Sequence, residues 1–182
     1  MAFALARAGI GALTLIDHDI LTPENTYRHV LGKPHWGKRK AIAMQQTLPV
    51  QLPFIGVRAI PATIEAALDQ GLIALNDFDL VVSALGNPTS ELALNERARR
   101  NAGPPIIYTW LEPLGIGGHA VLSGHGGEPG CFMCLYTRSD DTDGPLHNRA
   151  AFGKADQTYG RSLAGCSNLY TPYWGAGRDT NG

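Results

Sequence analysis

The chain has 182 residues, of which 44% are hydrophobic and 17% charged, with a formal net charge of −1. That length sets one domain as the expectation, and that apolar share supplies a core that a disordered chain lacks. The near-zero charge argues against nucleic acid or a membrane surface as partner, no apolar run approaches a membrane span, and the N-terminus lacks the basic, apolar and cleavage regions of a signal peptide.

Ala2 to Ala8 is alanine-rich and reads as a helix, with Gly9 or Gly11 able to stop it in a left-handed conformation. The apolar run Ala12 to Ile16 ends abruptly on Asp17. A short buried strand closed by a carboxylate reads as the second strand of a nucleotide-binding α/β sheet, where the acid accepts hydrogen bonds from ribose hydroxyls. A Rossmann-like unit begins with a strand and a glycine-rich turn about 20 residues before that acid. Counting back from Asp17 puts the turn before Met1, so the expectation is an N-terminally truncated fragment with first strand and glycine-rich turn missing.

Asp19, Asn25, Arg28, Lys38, Arg39 and Lys40 follow, in a loop over 18–35 and a helix predicted over Trp36 to Leu48. The helix places Ala41, Met44 and Leu48 on one face, at i, i+3 and i+7. An acidic corner beside a cationic corner is what a nucleoside triphosphate requires. Cations in the first turns oppose the helix dipole unless an anion answers them, and a solvated basic turn is the plainer reading.

Phe54 to Ile60 reads as a strand, and Thr63 as the cap of a helix running to about Gln70, with Gly71 after it. Asp79 to Leu85 is a continuous, β-branched buried strand. Asn87 as N-cap and Pro88 at the first helical position open a helix to about Arg100, which turns Leu94 and Ala98 inward and Glu96, Arg97, Arg99 and Arg100 into solvent. Pro105 to Leu111 and Gly118 to Ser123 are the next strands. Such alternation predicts an α/β fold, a Rossmann-like, mostly parallel sheet with helices on both faces. It puts Asp17, Gly86 and Glu112 at carboxyl ends of strands, the edge where open α/β sheets bind ligands. From Gly124 the chain turns Gly/Asp-rich, and residues 137–165 show no element, a length of loop that is usually functional or disordered.

Asp17-His18-Asp19, then Asn25-Thr26-Tyr27-Arg28, then Gly37-Lys38-Arg39-Lys40-Ala41 supply a D-x-D strand end, an N-x-x-R loop and a G-x-x-K-A helix start in that order. This set resembles the adenylation domain of the ThiF/MoeB/ubiquitin-activating (E1-like) adenylyltransferase superfamily, and more loosely the resemblance continues to about residue 175. It implies one ThiF-type domain over 1–182, with 124–170 as a crossover-loop-like segment. It also implies an enzyme that makes an acyl adenylate from ATP and the C-terminal carboxylate of a ubiquitin-like or sulfur-carrier protein. Such chemistry needs cations around the phosphates and little general base, because a carboxylate is already a nucleophile. Arg28 and Lys40 match the family's phosphate-contacting positions, Asn25 the neighbouring polar contact and Asp17 the ribose ligand. For Asp19 an active-site role and a turn role in an Asx-turn both stand. The family's pattern carries a Mg²⁺-holding aspartate where this chain has Gly86, before Asn87. Ligands for Mg²⁺ then come from the nucleotide, water, or a carboxylate such as Asp17, Asp19 or Glu112. A bacterial E1-like branch, fused to or encoded with E2-like partners, is similar here, and a homodimer is the expected assembly.

Three cysteines, two of them as C-x-x-C, suit a reduced compartment, so the expected location is cytoplasmic. Cys131 and Cys134 match the first half of the family's four-cysteine zinc site, whose second half lies beyond Gly182; two reduced cysteines that hold nothing is the alternative. Cys166, in Leu163-Ala164-Gly165-Cys166-Ser167-Asn168, matches a crossover-loop cysteine that in true E1 enzymes takes the acyl group as a thioester. Its plainer reading is a small hydrophobe in a loop. Two other functions share parts of the pattern. A NAD(P)- or FAD-binding oxidoreductase fragment shares the strand-end acid without needing Asn25, Arg28 and Lys40, and a non-catalytic E1-like scaffold subunit fits Gly86.

Overall fold

The protein is described from a computed structural model, which defines residues 1–27, 29–112, 116–124, 130–138, 146–152, 161–162 and 169–170. The chain divides into two compact units, Met1–Ile73 and Ala74–Gly182.

In the first unit the alanine-rich start forms helix α1, Ala2–Arg7, and Gly9 follows at φ +92°. Strand β1, Ala12–Ile16, pairs in parallel with β2, Gly56–Ile60, in a register running from Ala12 opposite Gly56 to Ile16 opposite Ile60. Parallel neighbours need a crossover, and helix α2, Lys40–Gln51, provides it. Its predicted face is the buried one: Ala41, Met44 and Leu48 are buried together with Ala43. Ala43, Met44 and Leu48 form a core with Leu21 and Leu31, against which Phe3, Leu13, Leu15 and Val57 pack. Leu21, Leu31 and Leu48, the buried leucines of this core, each contribute roughly 1.5–3 kcal/mol.

The helix begins at Lys40 rather than at Trp36. Gly37 at φ +79° and Arg39 in an extended conformation, ψ 130°, both break a helical path, and a 3₁₀ turn at Lys33–His35 precedes them. The approach is tied down by backbone bonds from Leu21 N–H to Lys38 C=O (2.9 Å) and from Gly37 N–H to Leu21 C=O (2.9 Å). Helix α3, Ile64–Asp69, is capped as its sequence predicts, with Thr63 Oγ1 accepting from Ala66 N–H at 3.2 Å.

In the second unit β3, Val81–Ser83, lies parallel to β4, Ile106–Leu111, and β4 pairs antiparallel with β5, Gly118–Ser123. The ladder-bonded strand is shorter than the predicted span of 79–85. Helix α4, Pro88–Arg100, crosses between β3 and β4 and is capped by Asn87 Oδ1, which accepts from Thr89 N–H (3.1 Å) and Ser90 N–H (3.4 Å). Leu94 and Ala98 are buried as expected, and so are Glu91 and Asn95.

Residues 137–165 are not without structure. β6, Tyr136–Arg138, pairs antiparallel with β7, Leu146–Asn148, and a two-residue pair joins β8, Arg161–Ser162, to β9, Leu169–Tyr170. Strands this short carry no readable period-two pattern, and cross-strand pairing makes them. The parallel pairs β1–β2 and β3–β4 with their crossover helices make this a mixed α/β, Rossmann-like fold. Among the described residues no helix is long and apolar enough to cross a membrane.

Candidate functional site

β1 delivers Asp17 to its carboxyl end, and the backbone turns there at once. The Asp17 carboxylate accepts the Asp19 N–H at 2.8 Å, an Asx-type bond made by Asp17. Asp19 reaches the start of α2 twice: its C=O accepts the Lys40 N–H at 2.9 Å, and its carboxylate lies 2.7 Å from Lys40 Nζ. The Lys40 side chain is 15% exposed and that of Asp19 52%. Lys40 therefore stands on the first residue of a helix that carries no acid in its first turn, and Asp19 is the anion that answers it. Arg39 donates to the His18 carbonyl, and Ile20 bridges to Arg39, so both backbones are fixed at this corner.

Asp17, His18 and Asp19 present ligand atoms within 4.8 Å of one another. They could hold a divalent cation, although one Asp19 oxygen already faces the Lys40 ammonium. Asn25 is not brought onto these groups by any described bond. Its Oδ1 accepts from Thr22 N–H (3.2 Å), and its C=O accepts from His29 N–H (2.8 Å), so it closes the loop. His29 was not foreseen. Burial, and then the nearby Lys40 charge, hold its pKa below the ordinary value while Asp17 pulls the other way. Its Nδ1 accepts the Leu31 N–H at 3.1 Å, which leaves the proton of the neutral ring on Nε2. Arg28 and Cys166 lie outside the described residues.

The second unit holds the other candidates. Gly86 follows β3 at φ +62°, a conformation that glycine adopts without strain. Beneath that turn Glu91, 3% exposed, accepts from Ser83 Oγ at 3.1 Å. Burial raises its pKa, while the Ser83 hydroxyl and the nearby backbone of Leu85 and Gly86 oppose the rise. Tyr108, fully buried and stacked on Phe132 at 4.1 Å between ring centroids, is also pushed up, by burial first and then by the Glu91 charge. Glu112 at the end of β4 is 4% exposed and is held by His119 Nε2 (2.8 Å) and Trp110 Nε1 (3.3 Å), an environment unlike that of an open Mg²⁺ ligand.

Cys131 opens a 3₁₀ turn, Phe132–Leu135, that contains Cys134, and their sulfurs lie 3.7 Å apart. Two thiolates on a tetrahedral zinc with bonds of about 2.3 Å stand about 3.8 Å apart, so the pair fits one edge of such a site. Burial opposes ionisation of Cys131. The Asn95 side chain and Cys134 outweigh it, and the pKa falls below the usual thiol value. Arg99 donates to Cys131 Sγ at 3.4 Å. The arginine cluster of α4 is therefore not simply a solvated face: Arg100 pairs with Glu96, but Arg99 serves a sulfur. Asn95 also accepts the Phe132 N–H at 3.1 Å. Glu91, Asn95 and Arg99, at i, i+4 and i+8, thus form a polar seam along α4 that the apolar pattern conceals.

A parallel β1–α2–β2 crossover, with acids and a shielded cation where its first strand ends, places this chain among the α/β proteins. The chain belongs to the ThiF family, whose model matches residues 1–159. It is 30% identical over 177 residues to the ATP-dependent ubiquitin transferase-like protein Cap2 of Pseudomonas aeruginosa, covering 93% of this chain and 29% of Cap2. It is 30% identical over 139 residues to the adenylyltransferase and sulfurtransferase MOCS3 of Mus musculus, covering 76% of this chain and 29% of MOCS3. Among solved structures it is similar to Escherichia coli MccB crystallised with AMPCPP and MccA, at TM-score 0.58 and 25% identity over 72% of this chain and 38% of MccB. The chain spans about 30% of the length of the curated relatives it matches.

Proposed function

We propose that this chain carries the nucleotide corner of an enzyme that uses ATP to adenylate the C-terminal carboxylate of a ubiquitin-like or sulfur-carrier protein. The observation that carries this is the Lys40 ammonium, 15% exposed and 2.7 Å from Asp19, beside the strand-end Asp17. The relatives support it: MOCS3 is named an adenylyltransferase, Cap2 an ATP-dependent ubiquitin transferase-like protein, and MccB was solved with a nucleotide and MccA.

In the reaction a carboxylate oxygen bonds to the α-phosphorus of ATP while the bond to the β-phosphate oxygen breaks, and pyrophosphate leaves. Charge builds on the phosphoryl oxygens, and preorganised cations are the chief aid a protein gives such a step. Lys40 and Arg28 are the cations proposed here, Asp17 holds the ribose hydroxyls, and Asn25 keeps the loop between them closed. A phosphate that reaches Lys40 competes with Asp19 for it, which frees Asp19 to face the Mg²⁺ of Mg·ATP. Cys166 is the proposed acceptor in a second step, in which its thiolate attacks the acyl carbon and AMP leaves. Cys131 and Cys134 hold zinc as two of four ligands, and bound zinc would tie their turn to the ligands that complete the site. The setting is the cytoplasm, with an E2-like protein as onward partner and a homodimer as assembly.

The test is pyrophosphate exchange into ATP in the presence of a carrier protein ending in a free glycine carboxylate. Exchange that depends on that carboxylate supports the proposal, and exchange absent with every carrier tried while ATP is bound refutes it.

A further inference from the structure

The 3₁₀ turn that carries the two cysteines is docked by bonds that involve no sulfur. Asn95 Oδ1 of α4 accepts the Phe132 N–H at 3.1 Å, and Phe132, 1% exposed, stacks on Tyr108 of β4 at 4.1 Å between ring centroids. The Cys131 C=O accepts the Cys134 N–H at 2.9 Å, which closes the turn on itself. One helical turn beyond Asn95, Arg99 donates from Nη1 to Cys131 Sγ at 3.4 Å. Val121, Leu122 and Leu135, which line a cleft with both cysteines, are apolar and offer no side-chain donor. An exposed arginine on a helix is ordinarily hydrated or held by a neighbouring carboxylate, as Arg100 is by Glu96. Arg99 is exposed as well, yet its guanidinium goes to a sulfur. A neutral thiol is a weak acceptor, so the contact gains strength when the sulfur is a thiolate, the form that a zinc ion takes as ligand.

We propose that Arg99 is a positioning residue for a metal at the cysteine pair: by donating to the Cys131 sulfur it orients that ligand and offsets the negative charge that thiolates bring to zinc. The inference rests on the zinc reading above. Two thiolates already cancel the charge of Zn²⁺, so each further anionic ligand leaves the site negative. Cys131 is only 8% exposed, and water does little to spread that excess there. A guanidinium outside the ligand sphere answers it without taking a coordination position. Groups that hold a ligand from behind in this way tune a metal site nearly as strongly as the ligands themselves. Because Asn95 and Phe132 dock the turn independently, loss of the guanidinium weakens metal binding and leaves the turn in place.

The experiment compares Arg99→Met, which keeps an aliphatic stem and removes the guanidinium, with Arg100→Met, the same change at the residue whose partner is Glu96. Zinc affinity is measured by competition with a chromophoric chelator, and the cobalt-substituted protein is followed by its thiolate-to-cobalt charge-transfer band. Arg99→Met is expected to weaken zinc binding about tenfold, the lower end of what loss of a ligand's own partner costs. Its charge-transfer band moves to longer wavelength, because a thiolate relieved of a hydrogen bond gives up an electron more readily. Arg100→Met leaves affinity and band unchanged, and both metal-free variants melt close to the unsubstituted protein. Unsubstituted protein that binds zinc, beside an Arg99→Met protein that binds it equally tightly, overturns the role of Arg99 alone. Unsubstituted protein that takes up no zinc overturns the zinc reading, and this inference with it. Zinc binding weakened with an unmoved band, or weakened equally in both variants, shows a loss of structure or of general positive charge, and also overturns the proposal.

Discussion

Lys40→Ala separates chemistry from stability, because the structure makes the two effects very different in size. Lys40 is bound to Asp19 at 2.7 Å, but Asp19 is half exposed, so the pair is a screened one. Such pairs contribute about 0.2–1 kcal/mol. In a chain of 182 residues, losing that much lowers the melting temperature by only about 2–4 °C at the upper end of the range. A preorganised cation removed from a phosphoryl centre costs about 3–4 kcal/mol instead, or roughly a hundred- to a thousandfold in rate. The assay is pyrophosphate exchange at saturating ATP and carrier, run beside a thermal melt of the same preparation. The expected result is exchange reduced at least a hundredfold in a protein that melts within a few degrees of the original. Undiminished exchange removes Lys40 from the phosphate site. A collapse of the fold together with activity would show that its pairing with Asp19 matters far more than solvent screening allows.

Cys166→Ala is expected to keep pyrophosphate exchange and to lose any reductant-sensitive conjugate with the carrier, since only the second step needs sulfur; a conjugate that survives the substitution excludes that role. Cys131→Ala is expected to lower bound zinc, measured by elemental analysis, and the melting temperature, and unchanged metal content would remove the pair from any zinc site. His29 has a pKa lowered by burial and by Lys40, so the folded state favours its neutral form. Its contribution to stability is present above the ordinary histidine value of 6.5 and is lost as pH falls through the lowered folded value. His29→Gln should therefore melt with a shallower acid-side decline than the original protein, and superimposable pH profiles would contradict the assignment.

Much of the fold was legible where a residue type answers a single local need. Asn87 and Pro88 marked the start of α4 to the residue, Thr63 marked α3, and Ala41, Met44 and Leu48 marked the buried face of α2. The beginning of α2 was misread because an apolar periodicity does not reveal that Gly37 takes a positive φ. The acids and cations of the nucleotide corner could be named from their spacing. That Asp19 pairs with Lys40, 21 positions on, depends on the backbone bonds that bring the end of β1 onto the start of α2. Glu91 and Asn95 were hidden for a different reason. Polar residues on a helix read as solvent-facing, and only the tertiary partners Ser83 and Phe132 show that these two point inward. β6 and β7 are too short to announce themselves and exist through their pairing.

In the proposed reaction a carrier's C-terminal carboxylate becomes joined to AMP. It is tested by intact-mass spectrometry of a carrier protein ending in a free glycine, incubated with ATP, Mg²⁺ and this protein in the presence of pyrophosphatase. The expected product is a carrier heavier by AMP less water, lost on treatment with hydroxylamine and absent when Lys40 is alanine. A carrier whose mass never changes while ATP is consumed, or one adenylated equally well after its terminal glycine is removed, would contradict it.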